Sequence, residues 1–238
     1  MRLPTGKRKR HCGKAKSRNL FILLGESYCM EKVDRISKID NSLTKEELYR
    51  WLPEIDMISD DEIREEVVDL FLKFCPDYFF EKPTSSSGNY HLPDESGEHG
   101  NILHTKRVLR IYQSLSRTYL EQHIIDSHEY DCGIAAVLLH DMVKYGWPSE
   151  QNEHTVNNHD VICAEIIRKK SSLPDIVADG VDAHNGAWAA GKNPETEFEQ
   201  LIHLSDYVAS RNIFGFIEIM ESTDELNELL LGGRVATE

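Results

Sequence analysis

The chain has 238 residues, enough to bury a full-sized core without disulfides or metal staples. Its 40% hydrophobic and 29% charged residues exclude the disordered and membrane-embedded classes. The formal charge is −14, and because residues 1–18 hold eight Lys or Arg and no acid, the remainder of the chain stands at −22. Such an acidic body repels a long phosphate backbone, so composition disfavours long nucleic acid as a partner and more easily accommodates a small phosphorylated ligand.

Residues 1–30 combine this basic run with little periodicity and read as a flexible tail. The apolar stretch Leu20–Leu24 is too short to cross a bilayer or to form a signal-peptide core, so neither a membrane anchor nor export is expected. Five scattered cysteines, Cys12, Cys29, Cys75, Cys132 and Cys163, never form C-x-x-C and suit a reducing cytoplasm.

From residue 31 to 81 the pattern is that of a small N-terminal helical extension. Thr44-Lys-Glu-Glu47 has the spacing of a capping box, and Asp60 or Asp61 opens a run with Ile63, Val67, Leu70, Phe71 and Phe74 on one face, which Pro76 ends. Residues 82–100, rich in Pro, Ser and Gly, form a long loop. Loops of this length often sit over functional sites, so Ser85 to His91 is a candidate substrate-facing lid, with a plain linker as the alternative. Residues 101–238 form the main domain. Helices are expected over 101–120, about 129–145, about 159–170, 174–184 and 195–213, with a weaker one from Thr223 to Leu231 and no convincing strand.

Several of these helices carry polar residues on apolar faces. His104 shares a face with Val108, Ile111, Tyr112, Leu115 and Tyr119; alone it is more often a core histidine than a ligand. In the next helix six apolar residues lead into His140 and Asp141, with Lys144 one turn on and Val137 on the same face. Burying such a carboxylate and imidazole costs several kcal/mol unless they are paired or hold a metal, and a metal site is the economical explanation. Imidazole and carboxylate suit Mn, Fe, Ni, Co or Zn, with Mg also open, and the absence of clustered thiolates argues against a structural zinc knuckle. His159 opens a further helix, with His154 a competing candidate. His184 precedes the turn Asn185-Gly186, and Asp206 lies on a stripe with Ile202, Ala209 and Ile213.

The ordered set His104, His140-Asp141, His159, His184 and Asp206 resembles the signature of HD-domain metal-dependent phosphohydrolases, and Lys144 matches their HDxxK variant. The resemblance covers roughly residues 98–213. It implies an all-α helical bundle in which His104, His140, Asp141 and Asp206 hold one divalent ion, His159 and His184 hold a second, and Asp141 bridges the two. It further implies hydrolysis of a phosphoester or phosphoanhydride in a nucleotide or short oligonucleotide by an activated water, with Lys144 neutralising charge on the phosphoryl oxygens. The segment from His184 to Trp188 is similar to the H-x-G element of HD-type phosphodiesterases and exoribonucleases. It departs from the cyclic-di-nucleotide type, which carries a second histidine where this chain has Asn185.

Arg107 and Arg211 are candidates for substrate phosphate, Trp188 and Tyr90 for stacking a base, and Asn185 for substrate binding. His203 could support Asp206, although a structural role is the better expectation for it, as for His91, His99, His123 and His128. Two rival classes remain: a di-iron oxygenase of the same fold, whose ligand set this one also resembles, and a binding module without turnover, against which the complete ligand set counts.

Overall fold

The computed structural model describes residues 32–85, 91–150 and 153–211, and among these residues every regular element is helical. The candidate helix from Thr223, Ile213 and the basic tail lie outside the described residues.

Helix α1 (Lys45–Trp51) starts at the expected capping box, in which Thr44 accepts from Glu47 N and the Glu47 carboxylate returns to Thr44 N. A 3₁₀ turn (Pro53–Met57) leads to α2 (Asp61–Phe74), capped by the Asp60 carboxylate on the amides of Glu62 and Ile63. The five apolar residues predicted to share a face of α2 are all buried. They do not form a separate appendage: Leu48, Leu52, Ile55, Phe71 and Phe79 belong to one continuous core with the helices that follow.

After the short α3 (Tyr78–Glu81) the chain makes its excursion through residues 82–100. The expected structureless loop contains a 3₁₀ turn (Pro93–Ser96), and its two limbs are tied by Thr84 N to Glu95 O and Asn101 N to Lys82 O, each 3.0 Å. It therefore presents fixed side chains to the bundle behind it.

The bundle comprises α4 (Gly100–Glu121), α5 (Ser127–Leu139), α6 (His159–Lys170), α7 (Asp175–Ala183) and α8 (Glu197–Ala209). Helix α5 is central: Ile134 to Leu139 are wholly buried, and α2, α4, α7 and α8 all pack against it. Its contact with α4 is close enough that a β-carbon at Gly133 would stand 1.9 Å from the Tyr112 hydroxyl. Only glycine fits there.

The expected helix from about 129 to 145 ends early. Regular α-helix stops at Leu139, and His140 to Tyr145 continue as tighter turns with Met142 N bonding Leu139 O and Lys144 N bonding Asp141 O. The apolar pattern runs through this change without a signal. The tight turns are fastened from outside by the Tyr78 hydroxyl on Gly146 O and by Trp147 Nε1 on Phe74 O at 3.0 Å.

Candidate metal centre

Each candidate ligand reaches the centre from a different part of the bundle. His104 comes from the first turns of α4, His140 and Asp141 from the end of α5, His159 from the first residue of α6, His184 from just beyond α7, and Asp206 from the last turn of α8. His104, His140, Asp141, His159 and His184 are all nearly inaccessible to solvent.

The hydrogen bonds of three of the four imidazoles fix which nitrogen faces inward. His140 Nδ1 donates to Val137 O at 2.7 Å, His159 Nδ1 to Val156 O at 2.8 Å and His184 Nδ1 to Val181 O at 2.6 Å. His104 Nδ1 lies 3.3 Å from the buried Glu95 carboxylate. A carbonyl can only accept, so Nδ1 of His140, His159 and His184 carries the proton and Nε2 turns a lone pair to the centre, whereas His104 Nε2 is hydrogen-bonded to Asp206 Oδ1.

What these lone pairs meet is carboxylate. Asp141 Oδ2 lies 3.3 Å from His140 Nε2 and 3.8 Å from His104 Nε2, whereas Oδ1 lies 3.2 Å from His159 Nε2 and 3.7 Å from His184 Nε2. Asp206 Oδ1 is 2.9 Å from His104 Nε2. Lone pairs facing carboxylate oxygens repel unless a proton or a cation stands between them. His140 Nε2 and Asp141 Oδ1 are buried with no hydrogen-bond partner, a costly arrangement unless something else binds them. Metal–ligand bonds of about 2.0–2.2 Å set two ligand atoms on one ion roughly 3 Å apart, so the donor set fits divalent ions. His104, His140 and Asp141 form one group that could hold a metal ion, and Asp141, His159 and His184 form another.

An ammonium and a neutral amide border it. Lys144 Nζ forms an ion pair with Asp141 Oδ2 and bonds Thr84 Oγ1 at 3.2 Å. The Asn185 amide nitrogen is 3.0 Å from His159 Nε2 and 2.8 Å from His184 Nε2. Burial pushes the Asp141 carboxyl up, but the Lys144 ammonium and then His140 outweigh it and hold the group well below the usual carboxylate range. Asp206 follows the same logic: burial raises it, and the His104 hydrogen bond and charge bring it far down.

A cavity of about 480 Å³ opens onto this centre, lined by His159, His184, Asp206 and Lys144 on its inner side and by Asn185, Trp188, Tyr207 and Arg211 further out. Residues 101–211 match the family model of the HD domain. This segment is an HD domain. No curated protein and no solved structure matches the chain.

The structure brings together the six expected ligands of the HD domain, with Lys144 and Asn185 beside them. Trp188 and Arg211 also line the cavity. Arg107 is a correction. It is fully buried and bound to Asp94 at 2.6 Å and to Glu95, because its position three residues after His104 turns it toward the 82–100 loop and away from the cavity. Tyr90 lies outside the described residues, as does most of the expected lid; of that segment Ser85 and His91 line the cavity. His154 is exposed, so the competition with His159 is resolved for His159.

Two residues of the site were not anticipated. Glu95, completely buried and paired with Arg107, accepts from His91 Nδ1 at 3.0 Å and lies 3.3 Å from His104 Nδ1. His91, expected to be structural, packs edge-on against His104 with ring centroids 4.8 Å apart. Burial, followed by the neighbouring His104 and Lys144, pushes its imidazole down to about 2, so it is neutral. Their only sequence signal is the H-x-x-x-E spacing in a loop, which no helical period supports.

Proposed function

We propose that the protein is a metal-dependent phosphohydrolase that cleaves a phosphoester or phosphoanhydride bond in a nucleotide or short oligonucleotide. The observation that carries this reading is the convergence of four imidazole Nε2 atoms on the two oxygens of one buried aspartate, beside an open cavity.

In this reading His104, His140, Asp141 and Asp206 would hold one divalent ion, and His159 and His184 together with Asp141 would hold a second. When bound, such ions supply an acidified water as nucleophile and a Lewis-acid contact to phosphoryl oxygens. The chain's own groups do the rest. The backbone carbonyls of Val137, Val156 and Val181 keep the imidazoles of His140, His159 and His184 in the ligating tautomer. Lys144 stands in the cavity with its ammonium fixed by Asp141 and Thr84, where it neutralises charge that grows on a phosphoryl group. Asn185 offers an amide beside His159 and His184 for a substrate oxygen.

The partner is a small phosphorylated molecule, since the acidic chain disfavours a long polyanion. A reducing cytoplasm accords with Cys75, Cys132 and Cys163, which are buried free thiols. No helix among the described residues is long and apolar enough to cross a membrane.

The test is elemental analysis of protein purified without chelator, together with phosphate release from a nucleotide panel with added manganese. The expected result is bound divalent metal and release that disappears in Asp141→Ala. Bound iron with dioxygen consumption and no phosphate release would replace this reading with an oxygenase, and an apo protein indifferent to Asp141→Ala would replace it with a binding module.

A further inference from the structure

At the outer end of the cavity stands Trp188, 62% exposed and the most exposed large apolar side chain among the described residues. Its position is built rather than incidental. Gly186 adopts a left-handed φ of 54°, and a β-carbon there would approach His203 Cε1 to 3.1 Å, so the turn Gly186–Trp188 lies tight against α8. The indole is then laid nearly parallel to two rings one helical turn apart, His203 at 5.6 Å and 19° and Tyr207 at 5.5 Å and 17°. Those two centroids are only 6.4 Å apart, so both rings brace the same side of the indole. Four residues further on, the Arg211 guanidinium lies 4.4 Å over the Tyr207 ring and 5.7 Å from that of Trp188.

The platform is tied to the metal centre. His203 Nδ1 donates to the carbonyl of His184 at 2.7 Å, so one residue provides an imidazole to the centre and the backbone acceptor that anchors the stack. Packing alone has no use for a rigid indole presented to water. Arg211 also has donors to spare: its Nε is buried without a hydrogen-bond partner.

We infer that Trp188 is the floor of a nucleobase subsite, on which the base of a nucleotide stacks while its phosphate reaches the Asp141 centre. This rests on the phosphohydrolase reading above. A planar π-system matches the open indole face, whichever base carries it. Arg211 closes the edge of the stack, its guanidinium lying over the Tyr207 ring. A sugar phosphate without a base fills the metal end of the cavity and leaves the platform empty.

The experiment compares AMP with ribose 5-phosphate, which share pentose and phosphate and differ by the base. Binding of each to the full chain as purified is measured by calorimetry, and phosphate release from each is followed in parallel. Wild type is expected to favour AMP by on the order of tenfold. Trp188→Ala should bring that ratio close to one and Trp188→Phe should keep most of it, with the affinity for ribose 5-phosphate unchanged in both. A wild-type ratio near one, a ratio that survives Trp188→Ala, or no binding of either compound would overturn the subsite. Base-dependent binding without phosphate release from any phosphoester would remove the hydrolase reading and leave the subsite. Equal binding and release for the two compounds would remove the subsite and leave the hydrolase.

Discussion

The two halves of the centre share Asp141 but are built from different materials. Around His104 and His140 there are two nearby carboxylates, Asp141 and Asp206, and a third, Glu95, lies 3.3 Å from the Nδ1 of His104. Around His159 and His184 the carboxylate in contact among the described residues is the other oxygen of Asp141, with Asp206 and Asp160 as further negative charges near His184; both imidazoles are braced by backbone carbonyls, and the neutral Asn185 amide lies against both Nε2 atoms. A cation's affinity for such a site rises with the negative charge around it and with the basicity of its ligands. The first half should therefore hold its ion more tightly, and the second should exchange its ion more readily.

Mutations can break this comparison in order of expected effect. Asp141→Ala removes an oxygen from each half, so both ions and at least about a thousandfold of phosphate release should be lost, measured by metal content and turnover on one preparation. His184→Ala should cost the second ion alone and leave one per chain, whereas Asp206→Ala should cost the tighter one; metal titration of the two variants reads the difference directly. Glu95→Gln keeps the volume but withdraws the charge behind His104, and should weaken the first half by about 10- to 100-fold with the second unchanged. Lys144→Ala should lower turnover with metal retained, because its ammonium touches the bridging aspartate without ligating an ion. Dialysis against a chelator sharpens the same contrast: the second ion should leave first.

The contrast between the halves also follows what could be read in the sequence. His104 is legible because it interrupts a 3.6-residue apolar period in α4, and His140 and Asp141 because six buried residues lead into them. The same periods yield the α2 face and the positions of α6, α7 and α8. Glu95 and His91 are not legible, since they come from a loop whose path depends on long-range ties such as Thr84 N to Glu95 O. Nor does spacing say which way a long side chain turns. Arg107 and Arg211 both follow a ligand within five residues, yet one is buried against Asp94 and Glu95 and the other lines the cavity. The early end of α5 at Leu139 is equally silent, because a tightened turn keeps the i, i+3 alignment of His140 and Val143, and of Asp141 and Lys144, that a helix would have given.

The most direct test of a shared two-ion centre is a metal titration of chelator-stripped full-length protein, followed calorimetrically with manganese or zinc, in wild type, His184→Ala and Asp141→Ala. The account predicts two binding events of unequal affinity in wild type, the tighter one alone in His184→Ala, and neither in Asp141→Ala. A single event in wild type that persists unchanged in His184→Ala, or two events that survive Asp141→Ala, would contradict it.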